Sequence, residues 1–164
     1  PGPDAPTDAR TLAHAEGSIV PAPMLAYFTQ AWPIELRPVE TDRYRDRTPR
    51  PGRYHVWMRT TKPLPDDPAL HRAVLAYASD MTLLDTSLYP HGTSIFDQTI
   101  QVASLDHSMW FHRPVKLDDW LLYTQDSPSA SGARGLTRGS LYTRAGVLIA
   151  SVAPEGLIRQ SAND

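Results

Sequence analysis

Cysteine is absent from all 164 residues, which excludes disulfides, thiolate nucleophiles and cysteine-ligated metals. No Lys- or Arg-rich run occurs and the formal net charge is only −2, so the electrostatic footprint of a nucleic-acid binder is missing. No apolar run approaches the roughly 18 residues needed to cross a bilayer, and no signal peptide is visible. These absences lead us to expect a single cytoplasmic domain of ordinary size with a true core, and neither nucleic acid nor membrane as partner.

Proline, by contrast, is plentiful: sixteen residues that crowd the first seventy positions. The chain begins Pro1-Gly2-Pro3 without a methionine and reads as a processed product or a piece of something longer. Residues 1–30 read as a proline-rich linker or tail, and 31–160 as the folded domain. Within the domain, Ala31–Val39 alternates like an edge strand that tolerates proline. Tyr54–Thr60 alternates too, with Tyr54, Val56 and Met58 on one face. Asp66 and Asp67 can cap a helix, Pro68 suits its first turn, and the apolar pattern continues to Leu84. Leu70, Ala73, Val74, Tyr77, Met81 and Leu84 fall on one stripe, with Leu75 and Leu83 well off it. A helix apolar around so much of its girth is expected to be enclosed. Asp80 lies on the margin of the stripe, as a solvated flank or as a site carboxylate.

After a loop over Leu88–Thr99, Gln101–His112 reads as a strand, followed by a strand at Trp120–Gln125 and a small-residue turn at Asp126–Gly132. Arg134–Thr143 and Val147–Ile158 form a hairpin around Arg144-Ala145-Gly146. One long helix and about six antiparallel strands make an α+β layout, a curved sheet around a helix.

The densest chemistry lies in Ala103–Pro114. As a regular strand it places Ser104, Asp106, Ser108, Trp110 and His112 on one face and Leu105, His107, Met109 and Phe111 on the other. Asp106-His107-Ser108 imitates a nucleophilic triad, but strand alternation points His107 away from its neighbours, so it is not one. His107 and His112 are candidate bases or simply packed side chains. Their spacing does not favour a metal pair. Arg113 is a candidate phosphate contact or a solvated arginine, and Trp110 and Phe111 read as core or interface aromatics.

Leu64–His71, Ala76–Asp80, Pro90-His91-Gly92, Ser104–Pro114, Asp119–Tyr123, Ser131–Gly135 and Glu155–Arg159 occur in the order and form that resemble acyl-CoA thioesterase II. The resemblance implies a hotdog fold, a long central helix wrapped by a curved antiparallel sheet, and specifically the C-terminal one of two. It implies hydrolysis of medium- to long-chain acyl-CoA and no cofactor. It also implies a second hotdog domain as partner, from an N-terminal half or another copy, within an oligomer, because the family's site lies where two hotdogs meet. It implies Asp80 and Ser104 as catalytic residues, with a glutamine on the last strand. That third position is Pro154, which has neither a side-chain amide nor a backbone N–H. Gln101, near Ser104, is a candidate substitute amide. The departure leaves a second reading open: a catalytically inactive acyl-CoA-binding or structural hotdog.

Overall fold

Period-two alternation builds the sheet and the helix packs across one face of it. The computed structural model describes residues 2–8, 10–11, 29–30, 32–42, 46–95 and 97–160. Its strands are β1 (Ile34–Pro38), β2 (Arg53–Thr60), β3 (Ile100–Ser104), β4 (Ser108–Phe111), β5 (Leu121–Ser131), β6 (Arg134–Thr143), β7 (Leu148–Ala153) and β8 (Glu155–Gln160). All pairings are antiparallel, in the order β1-β2-β5-β6-β7-β4, with β8 bonded to both β6 and β3. β7 and β8 are one strand interrupted at Pro154, and β3 and β4 are one strand interrupted at 105–107. Among the described residues the sheet therefore has six physical strands. With the long helix packed on it, this is the hotdog arrangement that the resemblance implies.

The helix, α1 (Pro68–Asp80), starts where its capping chemistry places it: Asp67 accepts from the Ala69 N–H at 2.8 Å and Pro68 opens the first turn. It stops at Asp80, earlier than Leu84, because the Met81 N–H bonds back to Ala78 O and tightens the end. Two 3₁₀ turns follow, at Leu84–Ser87 and Tyr89–His91. The expected enclosure is also corrected. The buried face is His71, Leu75, Ala78 and Ser79, with Val74 and Met81 packed at its margin, while Tyr77 on the expected stripe is 52% exposed. The sheet covers one side of the helix only.

A second correction concerns Asp126–Gly132, expected as a turn. β5 runs on to Ser131, absorbing Pro128 at a bulge between Asp126 and Ser129. The reversal is made by Gly132 and Ala133, both at positive φ (59° and 61°), as a tight two-residue hairpin requires. The linker expected over 1–30 lies mostly outside the described residues. Of those described, Pro3 accepts from Arg37 Nη1 at 2.9 Å and Asp4 from Arg144 at 2.7 Å, which seats residues 3–4 against β1 and the β6–β7 turn.

Candidate active site

The interruptions in the outer two strands face each other. Ser104 pairs with Gly156 in β8, and Ser108 pairs with Ala153 in β7, so residues 105–107 stand opposite only Pro154 and Glu155. One extra residue on one strand is a β-bulge. On the other side, Leu136 pairs with Glu155 and Gly139 with Val152 in one continuous register, which sets Thr137 opposite Pro154. The Thr137 N–H donates to Pro154 O at 3.0 Å. The reciprocal bond cannot form, because proline has no N–H.

The bulge overturns the expected sharing of faces. Leu105 and Asp106 both donate their N–H groups to Glu155 O, at 2.9 and 3.3 Å. The Asp106 carboxylate accepts from the Glu155 N–H at 2.7 Å, so it serves as a backbone staple. Ser104 then joins His107 and Met109 on the face toward the helix, while Trp110 pairs with Ser151 on the outer face. The Asp106-His107-Ser108 run is dispersed, as strand geometry required. His112 sits on Ser151 Oγ at 2.9 Å, and Arg113 is spent on Leu148 O at 2.5 Å. Gln101 is an odd number of residues from Ser104 within β3 and faces the other way, which removes it as a substitute amide.

The two candidate catalytic residues do meet. Ser104 Oγ donates to Asp80 Oδ1 at 3.1 Å and lies 3.4 Å from Oδ2. Both side chains are exposed. Pro154 lies on the inner face with Gly156, two residues along from Ser104's partner. Beneath the pair, Ser79 is fully buried. Its carbonyl accepts from Tyr123 OH at 3.0 Å, and its hydroxyl meets His107 Nε2 at 2.9 Å. Burial first, and the negative charge of Asp80 second, push the Tyr123 phenol well above its ordinary range, so it stays protonated and donates. Two glycines make these approaches possible. A Cβ on Gly139 would lie 2.3 Å from the Tyr123 ring, and one on Gly156 would lie 2.3 Å from Leu84.

Ser79, His107 and Tyr123 were not singled out as a group from sequence. The available signal was Pro154 itself: a proline inside a strand pattern marks an interrupted ladder, and hence a bulge in its neighbour. Farther along the inner face, a cavity of about 250 Å³ opens among Leu88, Ile100, Ala130 and Ile158, rimmed by His91 and Arg134. Asp80 and Ser104 lie outside it, near the outer edge of β3 and β4, which pairs with no other strand among the described residues. That edge carries Leu105, Trp110 and Phe111 at 53%, 54% and 37% exposure. No metal-binding cluster occurs among the described residues, and no described helix is long and apolar enough to cross a membrane.

A sequence model of the acyl-CoA thioesterase family matches residues 24–157. Acyl-CoA thioesterase 2 of Haemophilus influenzae is 34% identical over 155 residues, covering 94% of this chain and 54% of that protein. Human acyl-coenzyme A thioesterase 8 is 39% identical over 131 residues, covering 79% of this chain and 40% of that protein. Among solved structures, an acyl-CoA thioesterase II from Mycobacterium marinum superposes with a TM-score of 0.71 at 39% identity, over 99% of this chain and 55% of that one. The chain thus spans about half the length of the relatives it matches.

Proposed function

The chain belongs to the acyl-CoA thioesterase family, and from that premise we propose that it is the C-terminal hotdog of an enzyme that hydrolyses medium- to long-chain acyl-CoA. The observation that carries the reading is the Asp80–Ser104 contact at 3.1 Å, made by residues far apart in sequence. Water adds to the thioester carbonyl, the carbon–sulfur bond breaks, and the products are a fatty acid and the CoA thiol. Asp80 orients this water and takes its proton. Ser104, whose proton is directed at Asp80, offers its oxygen lone pairs to the same water and fixes its approach. Backbone N–H groups hold the developing oxyanion. The family glutamine would add one more contact to the water, and Pro154 omits it, so the unassisted rate is low.

We place the second wall of the site on another hotdog domain, an N-terminal half or a second copy. Asp80 and Ser104 are exposed, and the outer edge of β3 and β4, which pairs with no other strand among the described residues, carries exposed aromatics that a partner would cover. The rival reading, an inactive acyl-CoA-binding module, is favoured by Pro154 alone.

Hydrolysis of decanoyl-CoA and palmitoyl-CoA, with and without the proposed N-terminal half, tests the reading. Turnover that appears with the partner and vanishes in Asp80→Ala supports the enzyme. Binding of acyl-CoA with no turnover in any combination supports the rival.

A further inference from the structure

We propose that His107 is a positioning residue that acts through Ser79 to hold Asp80 against Ser104. The inference rests on the reading of Asp80 and Ser104 as the reacting pair, and adds to it the part that fixes their separation.

Asp80 needs such a part. It is exposed and is the last residue of α1, where the helix dipole disfavours a carboxylate and no basic residue compensates. Among the described residues its carboxylate takes hydrogen bonds from Ser104 alone. Exposed and held by that one side-chain contact, it takes its position from the backbone of the helix end.

That backbone is clamped at the preceding residue. Ser79 Oγ lies 2.9 Å from Ala76 O and 2.9 Å from His107 Nε2, and Ser79 O accepts from Tyr123 OH at 3.0 Å. With the Ser79 proton on Ala76 O, the imidazole Nε2–H is the donor to Ser79, and Nδ1 is left as an acceptor in the neutral ring. Consecutive helix residues 79 and 80 are thus tied to residues 107 and 104 of a single bulged segment. Its two central residues, Leu105 and Asp106, are fixed to Glu155, whose carbonyl accepts from both N–H groups and whose N–H donates to the Asp106 carboxylate. In an unbulged strand, residues 104 and 107 would face opposite ways. The extra residue is what brings both to the helix end, giving His107 a task that neither catalysis nor core packing requires.

A misplacement of about 1 Å can cost on the order of 100-fold in rate. The test compares His107→Ala and His107→Gln in the chain paired with its proposed N-terminal half, in both the wild-type and the Pro154→Gln background. His107→Ala should lower kcat by on the order of 10- to 100-fold with KM unchanged, and His107→Gln, whose amide can still donate to Ser79, should restore most of it. A merely structural histidine would lower thermal stability and leave kcat per folded molecule intact, which overturns the proposal. Amide exchange at Asp80 and Met81 gives a second readout that needs no turnover. It should quicken in His107→Ala and recover in His107→Gln. If neither background hydrolyses acyl-CoA, the functional reading fails by itself, and unchanged exchange would still refute the role of His107.

Discussion

Replacing Pro154 by glutamine is the perturbation whose consequences the structure specifies most fully. Position 154 faces inward beside Ser104's neighbour in the ladder, and its carbonyl already accepts from Thr137. Glutamine restores an N–H opposite the Thr137 carbonyl, a bond worth about 1 kcal/mol. It also gives up the conformational restriction that proline imposes on the unfolded chain, worth about 0.4–1 kcal/mol in the other direction. These two backbone effects nearly cancel, so Tm should move by no more than a few degrees where the buried position seats the longer side chain with its amide paired, and should fall where it does not. The rate should not stay still. A positioned amide returned to the reacting water should raise kcat on the order of 100-fold. Release of CoA thiol from decanoyl-CoA, followed with a thiol reagent, reads this cleanly because this chain contributes no cysteine. An unchanged kcat with an unchanged Tm would refute the argument, since the variant would be folded and the amide of no use where the reaction happens.

Three further outcomes follow from the same geometry. Gly139→Ala drives a methyl to 2.3 Å from the Tyr123 ring, and overpacking of this kind costs about 1–3 kcal/mol, measurable as a lower denaturation midpoint at constant m. Tyr123→Phe leaves the buried Ser79 carbonyl without its donor and should cost about 1–3 kcal/mol by the same assay; no loss would mean water replaces the phenol. His55 and Glu40 form a partly exposed pair at 2.7 Å. The hydrogen bond that the His55 ring donates to Glu40 raises the His55 pKa against the pull of burial; burial pushes Glu40 up, but the bonds it accepts from His55 outweigh this and lower it. The His55 contribution is complete below its ordinary pKa of 6.5 and fades as pH rises through the raised value; that of Glu40 is complete above 4.5 and fades as pH falls through the lowered one. The pair therefore stabilises most between these limits, by less than about 1 kcal/mol given its exposure. An NMR titration should show the His55 pKa falling in Glu40→Gln, and an unmoved titration would contradict the pairing.

How far the sequence reaches is clear from particular elements. The helix start was legible because Asp67 and Pro68 carry local, chemically specific signals, and β2 because Tyr54, Val56 and Met58 alternate without interruption. The helix end was not, since its termination depends on the i→i−3 bond of Met81 and on how the sheet receives Leu84 over Gly156. β5 ran longer than its small, polar residues suggested, because pairing with β6 overrides weak strand propensity. The faces of Ala103–Pro114 were misassigned beyond Ser104 for a physical reason: a one-residue bulge inverts every later side chain, and its cause, Pro154, lies fifty residues away on another strand. Asp80 and Ser104 were named from a resemblance, and the fold brings them to hydrogen-bonding distance.

The central claim is that Asp80 and Ser104 work as one unit on one water, and a double-mutant cycle addresses it most directly. We would measure kcat for decanoyl-CoA in the paired protein as wild type, Asp80→Ala, Ser104→Ala and the double variant. The account predicts that each single change removes most of the turnover and that the double variant loses no more than the worse single one. Wild-type turnover in Asp80→Ala, or losses that simply add, would contradict it.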